Sequence, residues 1–190
     1  MKDQIRILGI DDGPFKFKQK SVIIVGVIMR APQYIEGICK SRVAVDGNDA
    51  NSVLKKMIYS SNYKDQVRLI MLDGVALGGF NVVDIEALYS DTGIPVTSIT
   101  RTEPDLKVIR ETLKSHFSDW KERWESISKR DLVKINTNFK PIFVKFIGLK
   151  KSEIQRYIRL TTIRGVLPEP IRVAHLIATA MVKGESAGRA

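Results

Sequence analysis

Apolar residues follow two patterns along this chain, and each pattern predicts a different kind of element. Short, almost continuous apolar runs are typical of strands that are covered on both faces. Runs of this kind, bounded by turn residues, predict strands at 5–13, 21–30, 34–45, 66–72, 94–100 and 141–147. Apolar residues at steps of three and four predict amphipathic helices at 50–59, 82–90, 104–128, 151–164 and 170–183.

The connections between the predicted elements indicate how the strands pair. Asp12-Gly13-Pro14 and Ala31-Pro32-Gln33 contain turn residues, and the connections around them are short. Such connections allow only hairpins, so the first three strands are expected to be antiparallel neighbours. A helix precedes the run at 66–72, and this crossover predicts a fourth strand that is parallel to one of the first three.

The predicted helices also have recognisable ends. Asn81 and Ser152 are expected to cap two of them at the N-terminus, and Gly184 is expected to end the last one. The segment 104–128 is predicted to be one long helix, with Trp120 and Trp124 on its buried stripe.

Length and composition favour a single intracellular domain. A chain of 190 residues with 44% apolar residues can bury one sizeable core, predicted to span 1–184, with a disordered tail at 185–190. No run reaches the roughly 18 apolar residues of a membrane helix, and the start lacks the apolar segment of a signal peptide. A cytoplasmic protein is therefore expected. Cys39 is the single cysteine, which excludes an internal disulfide and a Cys-based zinc cluster.

Positive charge is unevenly divided between the two halves of the chain. Residues 1–99 contain 12 basic and 11 acidic side chains, whereas residues 100–190 contain 19 and 10. The second half therefore supplies +9 of the net charge of +10. Such an excess favours a polyanionic partner, most simply nucleic acid, whose phosphates it would neutralise. A lysine-rich solvated surface is the alternative interpretation.

Two carboxylates, Asp11 and Asp73, follow apolar runs that can form neighbouring parallel strands. Their backbones would then lie about 5 Å apart, at the edge of the sheet where ligand sites form. Carboxylates this close repel each other unless they share a proton or hold a cation, and Mg²⁺ or Mn²⁺ takes oxygen ligands of this kind. In the alternative interpretation, each aspartate merely ends a strand in a turn.

Other polar groups have both a functional and a structural interpretation. Asp12 is a further candidate for the acidic site, whereas Asp46 fits a turn as well as the site. Gly78-Gly79 could admit a phosphate at a helix start, or could form a flexible loop. His175 shares a helix face with apolar residues and is expected to point inward, as a core histidine or as a ligand.

Five short motifs, in this order along the chain, resemble those of endonuclease V. They are Gly9-Ile10-Asp11, similar to the first metal-binding aspartate motif; YIEGICKSRV at 34–43, similar to the wedge and third strand; Leu72-Asp73-Gly74, similar to the second aspartate; IPVTSITR at 94–101, similar to the strand that ends in a basic residue; and RGVLPEPIRVAH at 164–175, similar to the closing segment. Together with GGFNVVDI after Asp73, the pattern more closely resembles a mainly archaeal family of endonuclease V-like proteins.

This resemblance implies an α/β fold of the ribonuclease H-like type, in which three antiparallel strands are followed by parallel strands and helices cover both faces. It also implies roles for single residues. Asp11 and Asp73 would be catalytic and, with His175, would bind Mg²⁺ or Mn²⁺; Tyr34, Arg101 and Arg172 would contact nucleic acid; Asp12 and Asp46 are additional candidates.

The implied function is that of an endonuclease V-like nucleic-acid-binding protein with a reduced divalent-metal site. If this site supports catalysis, the protein would be a metal-dependent nuclease. Val43 stands where endonuclease V has a metal-binding glutamate. Two alternatives therefore stay open. One is a catalytically inactive nucleic-acid-binding module of the same fold, and the other is a small-molecule phosphohydrolase that uses the same carboxylate pair.

Overall fold

The apolar runs of the sequence assemble into one seven-stranded sheet, and the amphipathic segments form helices. The computed structural model describes residues 5–16 and 18–186, so residues 187–190 of the predicted tail lie outside the described residues. In chain order the elements are β1 (Ile5–Asp12), β2 (Ser21–Ala31), β3 (Tyr34–Ala44), α1 (Ala50–Tyr59), β4 (Val67–Asp73), β5 (Ala76–Leu77), β6 (Asn81–Val82), α2 (Ile85–Thr92), β7 (Val96–Thr100), α3 (Leu106–His116), α4 (Trp120–Ser128), β8 (Val133–Ile135), β9 (Ile142–Ile147), α5 (Lys151–Thr161) and α6 (Glu169–Lys183). Among the described residues, no helix has both the length and the apolar composition needed to cross a membrane.

The strand order of the large sheet is β3-β2-β1-β4-β7-β9-β8. β1, β2 and β3 are antiparallel neighbours, and β4 and β7 run parallel to β1. β9 is antiparallel to β7, and β8, at the far edge, is antiparallel to β9. Helix α1 lies between β3 and β4 in the chain and provides the crossover that makes β1 and β4 parallel. This topology confirms the predicted mixed sheet of three antiparallel strands followed by parallel ones.

Alternate side chains of the central strands are buried on opposite faces of the sheet. On one face, Leu8 and Ile10 pack in a cluster that includes Leu54 of α1 and residues of α2. On the other face, Ile7 packs with residues of α5 and with Ile171 of α6. Burial of one such side chain contributes about 1.5–3 kcal/mol, so both helical layers stabilise the sheet. Helices therefore cover both faces, as predicted.

Gly9, in the middle of β1, allows α6 to approach the strand closely. A Cβ atom at this position would lie 2.2 Å from the carbonyl carbon of Pro170 and 2.4 Å from its oxygen, both of which are backbone atoms at the start of α6. Only a residue without a side chain fits there. Further along, a Cβ atom on Gly13 would lie 3.1 Å from the Ala178 oxygen, so α6 follows β1 toward its carboxyl end. The contact at Gly9 thus sets where α6 lies on the sheet.

The prediction of a single helix at 104–128 was wrong, because the segment forms two helices, α3 and α4. Phe117 follows α3 in an extended conformation, with φ −130° and ψ 127°. Its ring packs edge-on against Phe80 at a centroid distance of 5.6 Å, and the Arg123 guanidinium lies 4.3 Å from its centroid. The next two residues, Ser118 and Asp119, have weak helix propensity. Tertiary contacts therefore break the helix where its intrinsic stability is low.

The start of α2 also differs from the prediction. Asp84, not Asn81, caps this helix: its carboxylate accepts hydrogen bonds from Glu86 N and Ala87 N at 2.9 and 3.0 Å. The Asn81 side chain is buried and accepts a hydrogen bond from Ala50 N at 3.0 Å. Asn81 therefore joins two loops, because a buried amide must satisfy its hydrogen bonds wherever partners lie.

Three other local predictions have mixed outcomes. Trp120 and Trp124 are half-buried rather than part of the core, since α3 and α4 pack on each other at the surface. Ser152 does not cap α5; the Glu153 carboxylate instead accepts a hydrogen bond from the backbone N–H of the residue before the helix. Gly184 ends α6 in the left-handed conformation, as predicted.

Replacing Gly9 by alanine is expected to lower the free energy of unfolding by about 3 kcal/mol, because the new Cβ must displace the backbone of α6. Gly165→Ala is the control. Gly165 has a φ of +78°, but a Cβ atom there meets no atom within 4 Å. Only the left-handed backbone conformation is penalised in the control, by about 1 kcal/mol. Urea denaturation followed by circular dichroism measures both losses, and equal losses would contradict the close contact at Gly9.

Candidate functional site

The carboxyl ends of the two central strands β1 and β4 lie side by side. Ile10 of β1 and Leu72 of β4 are direct partners in the parallel ladder. The next residue on each strand is an aspartate, so Asp11 and Asp73 reach the edge of the sheet together. Asp11 is only 4% exposed, and the Asp73 side chain is half-buried. The sheet thus brings together two carboxylates that are far apart in the sequence, at a point largely removed from water.

Helix α6 adds an imidazole to this pair. His175 Nδ1 lies 2.7 Å from Asp11 Oδ2, within hydrogen-bonding distance. One possible ligand atom from each of Asp11, Asp73 and His175 lies within 4.8 Å of the other two. His175 points inward, as its helix face predicts, but it faces the acidic pair instead of the apolar core. We call these three side chains the acidic centre.

The acidic centre has more negative charge than its neighbours neutralise. Burial, followed by the charge of Asp11, raises the pKa of Asp73 to about 7. Arg101 Nη2 lies 3.6 Å from Asp73 Oδ2 and acts in the opposite direction, without offsetting the burial. The hydrogen bond with Asp11 raises the pKa of His175. Near neutral pH, the folded protein therefore holds a proton at this centre more readily than these side chains would in water.

Asp12 lies next to the acidic centre but has a different role in the fold. Successive residues of a strand point to opposite faces, so its side chain leaves the sheet on the other side from Asp11. Asp12 Oδ2 accepts a hydrogen bond from Gly78 N at 2.9 Å, and Asp12 N donates to Asp11 Oδ1 at 2.8 Å. Burial raises the pKa of Asp12 to about 6, and the Asp11 charge adds to this effect. Asp12 thus joins the end of β1 to the glycine loop at 78–79.

Asp46 holds the other side of the glycine loop. Its backbone has a φ of 55°, and its Oδ1 atom accepts a hydrogen bond from Phe80 N at 2.8 Å. A Cβ atom on Gly79 would lie 2.3 Å from that oxygen, so the loop needs glycine there. The N–H groups of Gly78 and Phe80 are bonded to the carboxylates of Asp12 and Asp46. These two N–H groups are therefore used within the fold, which favours the structural interpretation of Asp46 and of the loop.

Arg123 in α4 is a positioning residue that the sequence did not reveal. Although charged, it is only 8% exposed. Its Nη1 donates to Gly47 O at 2.8 Å and to Phe80 O at 2.6 Å, and its Nε donates to Asp119 Oδ1 at 2.9 Å. Arg123 thereby fastens the loops around Asp46 to α4. In the sequence it is indistinguishable from a solvated arginine on an amphipathic helix.

Tyr34 lies far from the acidic centre. The start of β1 pairs with the end of β2, so the β2–β3 hairpin tip and Asp11 lie at opposite ends of the strands. Along β1, six residues separate the level of the hairpin tip from Asp11, which corresponds to about 20 Å. Tyr34 is exposed at this tip, and Glu36 anchors the tip by ion pairs with Arg6 and Arg30. Tyr34 is therefore presented to solvent on a well-supported hairpin.

Two other positions from the endonuclease V motifs are also outside the acidic centre. The Arg172 guanidinium forms a bidentate ion pair with Glu169, with both N–O distances 2.7 Å. Val43 is 1% exposed and packs in the core beside α1, on the opposite face of the sheet from Asp11. A side chain at position 43 with this orientation points into that core.

A protein-family model described as Endonuclease dU matches residues 3–182. The chain belongs to the endonuclease dU family. A relative from Methanosarcina mazei, named UPF0215 protein, is 47% identical over 193 aligned residues, covering 100% of this chain and 97% of the relative. The crystal structure of an Archaeoglobus fulgidus protein matches with a TM-score of 0.86 at 31% identity, covering 95% of this chain and 99% of that one.

Endonuclease V resembles this endonuclease dU family member in fold. The Ciona intestinalis enzyme, solved in complex with a DNA that contains inosine, has a TM-score of 0.60 at 11% identity. The match covers 92% of this chain and 84% of the Ciona chain. The predicted ribonuclease H-like architecture is thereby confirmed, and so is the predicted resemblance to an archaeal family of endonuclease V-like proteins.

Asp73→Asn is expected to flatten the pH dependence of stability in buffer that contains EDTA. The folded-state pKa of Asp73, about 7, exceeds the ordinary value of 3.8. Between these values the folded state keeps a proton that the unfolded state has lost, so the free energy of unfolding falls as pH rises. The raised pKa of His175 has the same sign, since its contribution is lost as pH rises through the folded-state pKa.

Thermal denaturation across this pH range measures the effect. The variant should be more stable than wild type above the pKa of Asp73. Asp65→Asn is the control, because Asp65 is exposed before β4, at the other edge of the sheet. A wild-type slope that Asp73→Asn leaves unchanged would show that Asp73 is not the titrating group.

Proposed function

We propose that this chain is a metal-dependent nuclease of the endonuclease dU family, in which Asp11, Asp73 and His175 hold Mg²⁺ or Mn²⁺. The observation that carries the proposal is the convergence of one ligand atom from each side chain within 4.8 Å. Two carboxylate oxygens and one imidazole nitrogen form a donor set that suits divalent ions of this kind.

The electrostatics of the acidic centre fit a cation. Asp73 retains a proton up to a pH of about 7 because its ionised form is desolvated and lies near Asp11. A divalent cation would take the place of that proton and relieve the repulsion between the carboxylates. Arg101, at 3.6 Å from Asp73, is too distant for a close ion pair and leaves that role open.

The residues around the centre prepare it for phosphoryl chemistry. When bound, the ion would orient a phosphate oxygen and lower the pKa of a water molecule. Asp11 is held by hydrogen bonds with Asp12 N and His175 Nδ1, so its carboxylate is oriented before any ligand arrives. Asp11 and Asp73 are the proposed catalytic residues. Arg101 is exposed beside them and is the proposed contact for the phosphate.

We infer that the substrate is a nucleic acid, with DNA that contains deoxyuridine as the first to test. The description of the family supports this choice, and the Ciona endonuclease V of the same fold was crystallised with an inosine-containing DNA. Tyr34 and Arg172 are proposed as further nucleic-acid contacts. An exposed tyrosine on an anchored hairpin can stack on a base, although it lies about 20 Å from the acidic centre.

A non-catalytic nucleic-acid-binding module is the second candidate. The observation that favours it is Val43, which is buried in the core and offers no ligand. A centre with two carboxylates binds metal more weakly than one with three. In this second candidate function, the chain binds nucleic acid but holds metal too weakly to cleave it.

Asp11→Asn, Asp73→Asn and His175→Gln are each expected to weaken Mn²⁺ binding by about 100-fold or more, because each removes one of few ligands. Isothermal titration calorimetry above the pKa of Asp73 measures the affinity. Asp65→Asn should bind Mn²⁺ like wild type, since this aspartate lies at the other edge of the sheet. Mn²⁺ binding of wild-type strength in the three variants would exclude the proposed metal site.

Cleavage of labelled DNA that contains deoxyuridine or deoxyinosine, as duplex and as single strand, tests the nuclease proposal. Wild type is expected to cleave at least one of these substrates with Mn²⁺ or Mg²⁺ and not with EDTA. Asp73→Asn should abolish the cleavage. If wild type binds both metal and DNA and cuts none of them, the non-catalytic module becomes the better description.

A further inference from the structure

Positive charge is concentrated in one part of the first half of the chain. Residues 13–45 contain one acidic side chain, Glu36. The six basic side chains of this segment are Lys16, Lys18, Lys20, Arg30, Lys40 and Arg42. Glu36 pairs with Arg30 and with Arg6 at the hairpin tip. The near balance of charge over residues 1–99 conceals this local excess.

The structure places the five other basic side chains on one strip. Lys16, Lys18 and Lys20 lie in the β1–β2 connection, and Lys40 and Arg42 lie on β3, the outermost strand of the sheet. All five are exposed, and none forms an ion pair with a carboxylate within the described part of the chain. We call this strip the basic edge.

Hydrogen bonds hold the two parts of the basic edge together. Arg42 Nε donates to Ser21 Oγ at 2.9 Å, and its Nη2 donates to Ser21 O at 3.0 Å. Val45 N donates to Lys20 O at 3.1 Å. The end of β3 is therefore fastened to the end of the β1–β2 connection, and the strip is a defined surface.

The basic edge lies two strands from the acidic centre, and Ala174 and Ala178 of α6 cover Val25 on the strand between them. Lys40 pairs with Val25, and Val25 pairs with Asp11, so these residues form one row across three strands. Directly paired residues point to the same face, and two strand spacings separate the backbones of Lys40 and Asp11 by about 10 Å. The β1–β2 connection begins directly after the strand end that carries Asp11 and Asp12.

Some exposed cations in other parts of the described surface have acidic partners, whereas Lys107, Arg110 and Lys121 have none. Lys55 pairs with Asp91, Lys129 with Asp84 and Arg130 with Glu86. A group of like charges without such partners repels itself, and a polyanion removes that repulsion. Asp11 and Asp73 repel a phosphate backbone that approaches them. A cation whose backbone lies about 10 Å away attracts the same phosphates and so reduces this repulsion.

We propose that the basic edge binds the phosphate backbone of DNA and guides it to the acidic centre. The proposal rests on the proposed function, because it assumes a nucleic-acid substrate, but it requires neither bound metal nor cleavage. β3 runs from the hairpin tip with Tyr34 to the edge that carries Asp11, so a backbone lying along it passes both. The basic edge is distinct from the excess charge in the second half of the chain.

Fluorescence anisotropy with labelled duplex DNA, in EDTA and over a range of salt concentrations, tests the proposal. The variant K20Q/K40Q/R42Q removes three charges from the basic edge. The matched control, K107Q/R110Q/K121Q, removes two lysines and one arginine from α3 and α4, where all three are exposed and outside the ion pairs of the described residues. A labelled RNA strand of the same length forms the second arm, which distinguishes the two kinds of phosphate backbone.

The basic-edge variant is expected to reduce the slope of log affinity against log salt by about 2.7, or about 0.9 per lost phosphate contact. If the two proteins bind equally at about 1 M salt, this corresponds to a loss of affinity of about 500-fold at about 0.1 M salt. The control should bind like wild type, and DNA should respond more strongly than RNA. Equal losses in both triple variants, or an RNA preference, would overturn the proposal while leaving the metal site untouched. Wild type that binds Mn²⁺ but no nucleic acid would reject both the basic edge and the nuclease.

Discussion

Parallel pairing of β1 with β4 is the constraint on which the acidic centre depends. The ladder aligns the two strands so that each ends in its aspartate at the same edge. Burial of the Asp73 carboxylate and, after it, repulsion from Asp11 oppose this arrangement, and both raise the pKa of Asp73. The apolar layers on both faces of the sheet supply the stability that holds the carboxylates together. The stability of the core thus keeps two carboxylates and an imidazole close together where they would otherwise separate.

The third side chain of the centre depends on a different contact. Gly9 lets the backbone of Pro170 approach β1, and the same helix then brings His175 to Asp11. Around the centre, backbone N–H groups are bound by carboxylates, and Arg123 ties the surrounding loops to α4. Asp12, Asp46 and Arg123 thus fix the loops beside the end of β1, and Asp12 N also donates to Asp11 Oδ1.

Charge of both signs is organised around the same edge of the sheet. The acidic centre concentrates negative charge where solvent access is reduced, whereas the basic edge leaves cations in water without acidic partners among the described residues. A metal ion and a phosphate backbone are the complementary charges for these two regions. The sheet separates Lys40 from Asp11 by two strand spacings, and in the proposed binding mode one extended polyanion reaches both regions.

The sequence alone was sufficient for six of the seven strands of the large sheet, for the directions of the first four and for the pair Asp11 and Asp73, because apolar runs, turn residues and the length of each connection can be read along the chain. It missed the three-residue strand β8, which is too short to show a pattern. Helix periodicity predicted that His175 points inward, and the resemblance to endonuclease V gave it an expected role as a ligand. Tertiary structure decided what depends on contacts between distant residues. It broke the helix at Phe117, buried Val43 away from the centre and gathered the cations of the basic edge, since such outcomes follow from which surfaces meet after folding.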